Sequence, residues 1–258
     1  MIKIAQIRRY PVKGLSAESL EQVQLQPGQG VPHDRRFALA HASAKFDLLK
    51  PEWLPKTYFL MLKRDQRLAT LETSFDEESG VLSVYRNGEQ MARGDLTAPE
   101  GRAEIEDFFA DYMKREAKGG PRLLEAPPDH MFSDHRNRVL SLINPASIAE
   151  LEKVIGAEKV VAAPINPIRF RPNLILDGAA AWAEFQWLDR EISIGGARLK
   201  VTKRIDRCAA THVDPDTGNR DMNILKALKQ GFGHVDMGVY AKVLRGGAVA
   251  VGDELKVL

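Results

Sequence analysis

The chain has 258 residues, of which 44% are hydrophobic and 28% charged, and its formal net charge is +2. This composition is ordinary for a folded globular protein of one large or two small domains, and it excludes an extensively disordered chain. The small net charge argues against bulk binding to nucleic acid, and no stretch approaches the roughly 20 apolar residues of a membrane span. We therefore expect no nucleic-acid partner and no membrane insertion.

Cys208 is the only cysteine, so the chain forms no internal disulfide. The N-terminus also lacks the apolar core of a signal peptide, and together these features favour a reducing, cytoplasmic location. A single thiol cannot hold an iron–sulfur cluster or a cysteine-rich zinc site, which normally take four ligands. Any one-electron chemistry would therefore require a separate donor protein.

The N-terminal part of the chain predicts many short strands. Asn87-Gly88 is a strong hairpin-turn signal after the last of them. Closely spaced short strands are typical of a small antiparallel barrel or sandwich, and we place this module at residues 1–95. The predicted strands cover residues 2–7, 23–25, 34–40, 58–62, 67–73 and 81–85.

A helical region over about residues 97–118 follows, with Pro99 in its first turn. Its apolar residues share one face, which we expect to lie in the core: Ile105, Phe108, Phe109, Tyr112 and Met113. A second helix is predicted over residues 144–156, because Asn144 is a good cap and Pro145 suits the first helical position.

The rest of the chain again predicts mainly strands, with a short helix over residues 222–229. Gly195-Gly196 and Gly246-Gly247 each predict a hairpin. The predicted strands here cover residues 174–176, 191–194, 197–201, 238–244 and 248–257. The fold class is therefore α+β and mainly β, with a second domain at residues 96–258 that includes the helical linker region.

Cys208 follows Arg207 directly and precedes a Pro215–Gly218 turn. A thiolate is a nucleophile and a soft metal ligand, and a neighbouring arginine favours the thiolate form. The alternative is that Cys208 is a small buried apolar residue, which is the commonest role of a lone cysteine.

Basic residues flank several predicted turns, where binding groups tend to concentrate. They are Lys13, Arg35, Arg36, Arg169 and Arg171. Each alone is compatible with a solvated surface charge of little energetic consequence. The six histidines show no ligand spacing within a helix, so we expect no histidine metal site.

Five motifs, taken together and in this order, resemble the MOSC proteins, named after the C-terminal domain of molybdenum cofactor sulfurases. The form with an additional N-terminal β-barrel is similar to the mitochondrial amidoxime-reducing component and its bacterial relatives. The motifs are Tyr10-Pro11-Val12-Lys13-Gly14, Asp34-Arg35-Arg36-Phe37, Arg169-Phe170-Arg171-Pro172-Asn173, the run from Arg207 to Gly218, and Val251-Gly252-Asp253-Glu254-Leu255.

The resemblance implies a C-terminal MOSC β-barrel that binds the molybdenum cofactor, a molybdopterin carrying molybdenum. Cys208 would be the metal ligand and the catalytic residue. Basic side chains suit the pterin phosphate, since arginine binds it through a planar fork and lysine as a point charge. The cofactor-binding residues implied are Lys13, Arg35, Arg171 and Asn173, with Arg207 and Asp134 as weaker candidates.

The chain departs from the family at two positions near these motifs. Asp206 stands where several members have a small polar residue or cysteine, which adds negative charge beside an anionic cofactor. Gly14 stands where some members have serine. Some bacterial relatives carry a C-terminal ferredoxin domain, whereas this chain ends at Leu258, so we expect a separate electron donor of the ferredoxin or flavoprotein type.

Three functions remain open at this point. The first is an oxidoreductase that reduces small N-hydroxylated substrates, with molybdenum or tungsten as the metal. The second is a carrier that holds the cofactor, or sulfur as a persulfide on Cys208. This carrier would bind no pyridoxal phosphate, because the chain lacks room for a desulfurase domain. The third is a β-barrel interaction module in which the cysteine is inert.

Overall fold

A computed structural model of the protein describes residues 1–158 and 164–258. The regular elements of the described residues are mainly β-strands, as the sequence predicts, with three α-helices and several short 3-10 turns. The elements are β1 (Ile2–Arg9), β2 (Glu18–Leu20), β3 (Gln22–Leu25), β4 (Phe37–Ala40), β5 (Glu72–Phe75), β6 (Val81–Arg86), β7 (Glu89–Asp95), α1 (Pro99–Met113), β8 (Arg122–Glu125), β9 (Leu140–Ile143), α2 (Pro145–Glu158), β10 (Leu174–Asp177), β11 (Glu191–Ile194), β12 (Ala197–Asp206), α3 (Ile224–Phe232), β13 (Asp236–Arg245), β14 (Gly247–Ala250) and β15 (Glu254–Val257).

Seven strands close a barrel in the order β1, β10, β9, β13, β12, β11 and β15, and β15 pairs back onto β1. Neighbouring strands are antiparallel except β9 and β10. Inward-facing positions alternate along each strand, so Ala197, Leu199 and Val201 of β12 are all buried in the barrel core. The first strand of the chain thus completes a barrel whose other strands come mostly from the last third of the chain.

The N-terminal module contains the sheet β5–β6–β7, and α1 and β8, which follow residue 95, pack with it: α1 contacts β7, and β8 pairs with β4. The predicted apolar face of α1 is confirmed: Ile105, Phe109 and Met113 are fully buried in one core with Phe37 and Leu82. Phe108 and Tyr112 pack at the edge of this core. The domain boundary near residue 95 stays a prediction.

The hairpin predicted across Gly246-Gly247 is wrong. β13 pairs with β12 and β9, whereas β14 leaves the barrel and pairs with β3. The chain passes closely over the β11–β12 turn here. A Cβ on Gly247 would therefore lie only 2.3 Å from the carbonyl carbon of Gly196. A turn at Gly252, whose φ is +91°, then separates β14 from β15.

Two predicted strands in the N-terminal module are only partly confirmed, since Phe59 forms a bridge with Ala40 and β5 begins at Glu72. Lys56–Tyr58 and Gln66–Thr70 form short 3-10 helices. The buried carboxylate of Asp65 accepts a hydrogen bond from the Met61 amide at 2.8 Å, and the Asp65 amide donates to the Met61 carbonyl at 2.8 Å. These local bonds close a turn where an extended strand was expected.

After β1 the chain crosses from the barrel into the N-terminal module. The Arg8 amide still donates to the Asn173 carbonyl of the barrel at 2.7 Å. A few residues later, Val12 forms a bridge with Phe37, and the Lys13 amide donates to the Phe37 carbonyl at 2.8 Å. This crossing places the first basic motif where the two units meet.

Candidate functional site

A cavity of about 300 Å³ lies where the N-terminal module meets the barrel, and we call it the intermodule cavity. Every site residue predicted from the sequence lines it. These residues are Lys13, Arg35, Asp134, Arg171, Asn173, Arg207 and Cys208. The structure therefore brings together groups that are far apart in the chain, and their roles in binding stay predictions.

The lining of the intermodule cavity is strongly basic. Three acidic side chains, those of Asp34, Asp134 and Asp206, face eight basic ones. The basic residues are Lys13, Arg35, Lys56, Lys63, Arg169, Arg171, Lys203 and Arg207. A cleft lined by an excess of one charge attracts ligands of the opposite charge, so this cavity favours an anion.

Cys208 lies just beyond the end of β12, at the start of a short 3-10 turn, and is partly exposed. The amide and the hydroxyl of Thr211 donate to the Cys208 carbonyl at 3.1 and 3.0 Å, which anchors the loop. The Nζ atom of Lys56 lies 3.5 Å from the Sγ atom. Burial lowers the pKa of Lys56, but Asp134 and the Cys208 thiolate outweigh it and raise that pKa, so Lys56 stays charged beside the sulfur.

Asp134 bridges two lysines at the cavity wall. Its Oδ1 atom accepts from Lys13 Nζ at 2.6 Å and its Oδ2 atom from Lys56 Nζ at 2.7 Å. Burial raises the pKa of Asp134, but the two lysines outweigh it and hold that pKa well below its usual range. Burial lowers the pKa of Lys13, which also donates to the Phe132 carbonyl at 3.0 Å. The pair of lysines is thereby fixed around one carboxylate.

Arg207 and Asn173 use their polar atoms mainly on the protein itself. The Nε of Arg207 donates to the Met237 carbonyl at 2.8 Å and its Nη1 to the Phe170 carbonyl at 2.9 Å. Burial lowers the pKa of Arg207 to about 10. The side chain of Asn173 accepts from the Ser141 amide at 3.0 Å. The side chain of Lys56 is therefore in hydrogen-bond contact with the thiol. Arg207, which follows β12, instead connects the start of β13 to the segment around Phe170.

The guanidinium groups of Arg35 and Arg171 both lie over the Tyr10 ring, and we call this arrangement the Tyr10 cluster. The Cζ atoms of Arg35 and Arg171 lie 4.3 and 4.2 Å from the ring centroid. Arg35 Nη2 also donates to the Arg171 carbonyl at 3.1 Å, and Asp34 pairs with Arg35. Burial lowers the pKa of Arg171 to about 10. The module and the barrel thus present two guanidinium groups on one aromatic support.

The residues present fit an anionic group that also carries a soft metal. Arg171 Nη1 donates to the Leu15 carbonyl at 2.7 Å, but its buried Nη2 finds no hydrogen-bond partner among residues 1–158 and 164–258. A buried donor without a partner is costly, and an anion would satisfy it. The partly exposed Cys208 thiol in the same cavity supplies a soft ligand.

Sequence reasoning missed Lys56 and the contacts of Tyr10, and it identified Arg169 only as one of several basic residues at turns. Lys56 carries no local signal, because only the fold brings it to Cys208. Tyr10 belongs to the first of the MOSC-like motifs, but nothing in the sequence shows that two arginines pack on its ring. Arg169 is 5% exposed and forms ion pairs with Asp214 and Asp221, both at 2.6 Å, which hold the loop after Cys208.

In the described part of the chain, no group of three or more histidine, cysteine, aspartate or glutamate side chains is placed to hold a metal ion. Within those same residues, no helix has the length and apolar character needed to cross a membrane.

Comparisons with known proteins agree with the fold. The model of the MOSC N-terminal beta barrel domain matches residues 1–118, and that of the MOSC domain matches residues 127–256. The chain therefore belongs to the MOSC domain family, in the form with an N-terminal β-barrel domain.

The curated relatives include molybdenum cofactor sulfurases and mitochondrial amidoxime-reducing components. A molybdenum cofactor sulfurase of Bos taurus is 33% identical over 250 residues, which cover 86% of this chain and 28% of that protein. Mitochondrial amidoxime-reducing component 1 of Homo sapiens is 26% identical over 254 residues, which cover 88% of this chain and 72% of that protein. The chain thus spans less than a third of the first relative and nearly three quarters of the second.

Among solved structures, the YUAD protein from Bacillus subtilis is similar over 100% of this chain and 96% of that one. The TM-score is 0.46 and the sequence identity is 14%.

Proposed function

We propose that this protein is an oxidoreductase that uses the molybdenum cofactor to reduce small N-hydroxylated compounds. The observation that carries the proposal is that the Cys208 thiol shares one strongly basic cavity with the unpartnered guanidinium nitrogen of Arg171. Membership of the MOSC family and the similarity to a mitochondrial amidoxime-reducing component support the same chemistry.

Within this proposal, the basic residues bind the cofactor phosphate and Cys208 binds the metal as a thiolate. Arg35 and Arg171 provide guanidinium forks, and Lys13 provides a point charge. Asn173 and Arg207 hold the surrounding loops, and Asp134 orients Lys13. The bound cofactor would supply two-electron transfer of an oxygen atom.

The overall reaction takes two electrons and two protons, converts an N–OH group to N–H, and releases one water. Within this proposal, Lys56 would donate a proton to the departing oxygen, because its Nζ atom lies 3.5 Å from the Sγ atom of Cys208. The electrons would come from a separate donor protein of the ferredoxin or flavoprotein type.

The decisive test is the metal and pterin content of protein purified from cells that make the cofactor. We expect near-stoichiometric molybdenum and a fluorescent oxidised pterin in the wild type. Tungsten in place of molybdenum would leave the site assignment intact. The metal and the pterin should both be lost in Cys208→Ala, and Cys208→Ser should remain folded without turnover. A folded Cys208→Ser variant that still reduces an amidoxime would exclude this mechanism.

A second candidate function is a carrier of sulfur or of the cofactor. The Lys56–Cys208 contact favours it as well, because a cation stabilises a thiolate that attacks sulfur donors. Sulfane sulfur on Cys208 of the metal-free protein, together with no turnover of the loaded protein, would support the carrier over the oxidoreductase.

A further inference from the structure

Tyr10 lies at the centre of the intermodule contact. It follows β1 directly, and its side chain is fully buried. The Tyr10 amide donates to Asp34 Oδ1 at 2.8 Å, and the Tyr10 carbonyl accepts from the Arg35 amide at 2.7 Å. The backbone of Tyr10 therefore holds the loop that carries Arg35, while its ring contacts Arg171 from the barrel.

The two guanidinium groups of the Tyr10 cluster are an unfavourable pair without the ring that both contact. Both arginines are partly buried, like charges repel more strongly at low dielectric, and Arg35 helps to lower the pKa of Arg171. The face of an aromatic ring carries negative charge, so each cation is attracted to the ring. Arg35 and Arg171 also adopt left-handed backbone conformations, with φ of 49° and 52°, which are uncommon for residues other than glycine. The surrounding structure thus holds both arginines in one specific orientation.

The hydroxyl of Tyr10 contributes little to this arrangement. It is buried and has no hydrogen-bond partner among the described residues. Burial raises the pKa of Tyr10 to about 12, so the phenol is neutral at physiological pH. The interaction with the arginines therefore involves the ring and not a phenolate charge.

We propose that Tyr10 is a positioning residue whose ring, and not its hydroxyl, holds Arg35 and Arg171 in the orientation that binds an anionic group in the intermodule cavity. This inference rests on the proposed function, because it takes the cavity to be an anion site. It assigns the orientation of the two arginines to a residue that does not itself line the cavity.

The test measures the affinity of the metal-free protein for inorganic phosphate by calorimetry. Tyr10→Phe keeps the ring, and Tyr10→Met replaces it with a flexible apolar side chain of adequate volume. We expect Tyr10→Phe to bind phosphate within about twofold of the wild type, and Tyr10→Met to bind about tenfold more weakly, as expected for the loss of cation–π support.

Two controls separate positioning from general stability. Phe109→Leu removes a fully buried ring of the module core that does not line the cavity, so it should lower thermal stability without changing phosphate affinity. Lys13→Met should abolish phosphate binding if the cavity is the binding site. If wild-type protein binds no phosphate, the anion site itself fails, and this inference is overturned with it.

If the wild type does bind phosphate, three outcomes would still overturn the role of Tyr10. They are unchanged affinity in Tyr10→Met, equal losses in Tyr10→Phe and Tyr10→Met, and an equal loss in Phe109→Leu. If Tyr10→Met does not fold, NMR of the wild type tests the proposal instead. The ring signal of Tyr10 is first assigned by comparison with the spectrum of Tyr10→Phe. It should shift as phosphate saturates the site, and an unchanged signal would contradict the proposal.

Discussion

The Nζ atom of Lys56 lies 3.5 Å from the Sγ atom of Cys208, although 152 residues separate them in the chain. Asp134 holds the same nitrogen at 2.7 Å. The ammonium group is therefore fixed beside the thiol and not free to swing into solvent. This contact makes Lys56 the residue through which the N-terminal module acts on the sulfur of the barrel.

We expect Lys56→Met to slow alkylation of Cys208 by iodoacetamide about threefold or more at neutral pH, because the thiolate loses its charged hydrogen-bond donor. The rate should be measured on the metal-free protein. Lys45→Met, which removes an exposed lysine of the same loop, is the matched control. Equal rates in wild type and Lys56→Met would show that the contact does not stabilise the thiolate.

Asp134 should make the folded state sensitive to acid. Its pKa is held well below the value of about 3.9 expected in the unfolded chain, so its contribution to stability is present above about pH 4 and is lost as the pH falls further. In Asp134→Asn, the melting temperature should be lower at pH 7 and should fall less between pH 5 and pH 3. Asp129→Asn, at a highly exposed carboxylate, is the control and should follow the wild type. Parallel curves for wild type and Asp134→Asn would contradict this prediction.

Arg169 should stabilise the loop that follows Cys208. Its guanidinium is buried and pairs with Asp214 and Asp221, so Arg169→Met should cost about 3 kcal/mol in the free energy of unfolding. Urea denaturation measures this loss, and limited proteolysis should then cut within residues 213–221. Arg190→Met is the control, because the side chain of Arg190 is exposed and donates to the Leu258 carbonyl at 2.9 Å. A loss in Arg169→Met no larger than in the control would refute the role of the ion pairs.

Gly101 should be essential for packing α1 onto β7. A Cβ at this position would lie 2.2 Å from the Asp95 carbonyl oxygen, so Gly101→Ala should destabilise the fold by about 2–3 kcal/mol. A Cβ on Gly156 in α2 would meet no atom of the described residues within 4 Å, and Gly156→Ala should stabilise by up to about 1 kcal/mol. Thermal melts of both variants check the signs, and a neutral Gly101→Ala would contradict the close approach.

Local patterns predicted much of the fold. The periodicity of Ile105, Phe109 and Met113 located α1 and its buried face, and Asn87-Gly88 located the β6–β7 hairpin. These predictions succeed because helices and tight hairpins are specified by residues near each other in the chain. The hairpin at Gly246-Gly247 failed because β14 pairs with β3, which lies at the other end of the chain.

The sequence by itself determined that the chain carries one thiol, that basic residues flank its turns, and that these motifs occur in the order typical of the MOSC family. Those are properties of residue type and spacing. Only the tertiary structure decided that β1 closes the barrel, that Lys56 contacts Cys208, and that Tyr10 contacts two arginines. Each of these contacts joins distant parts of the chain, and such contacts depend on packing between elements, which no local pattern encodes.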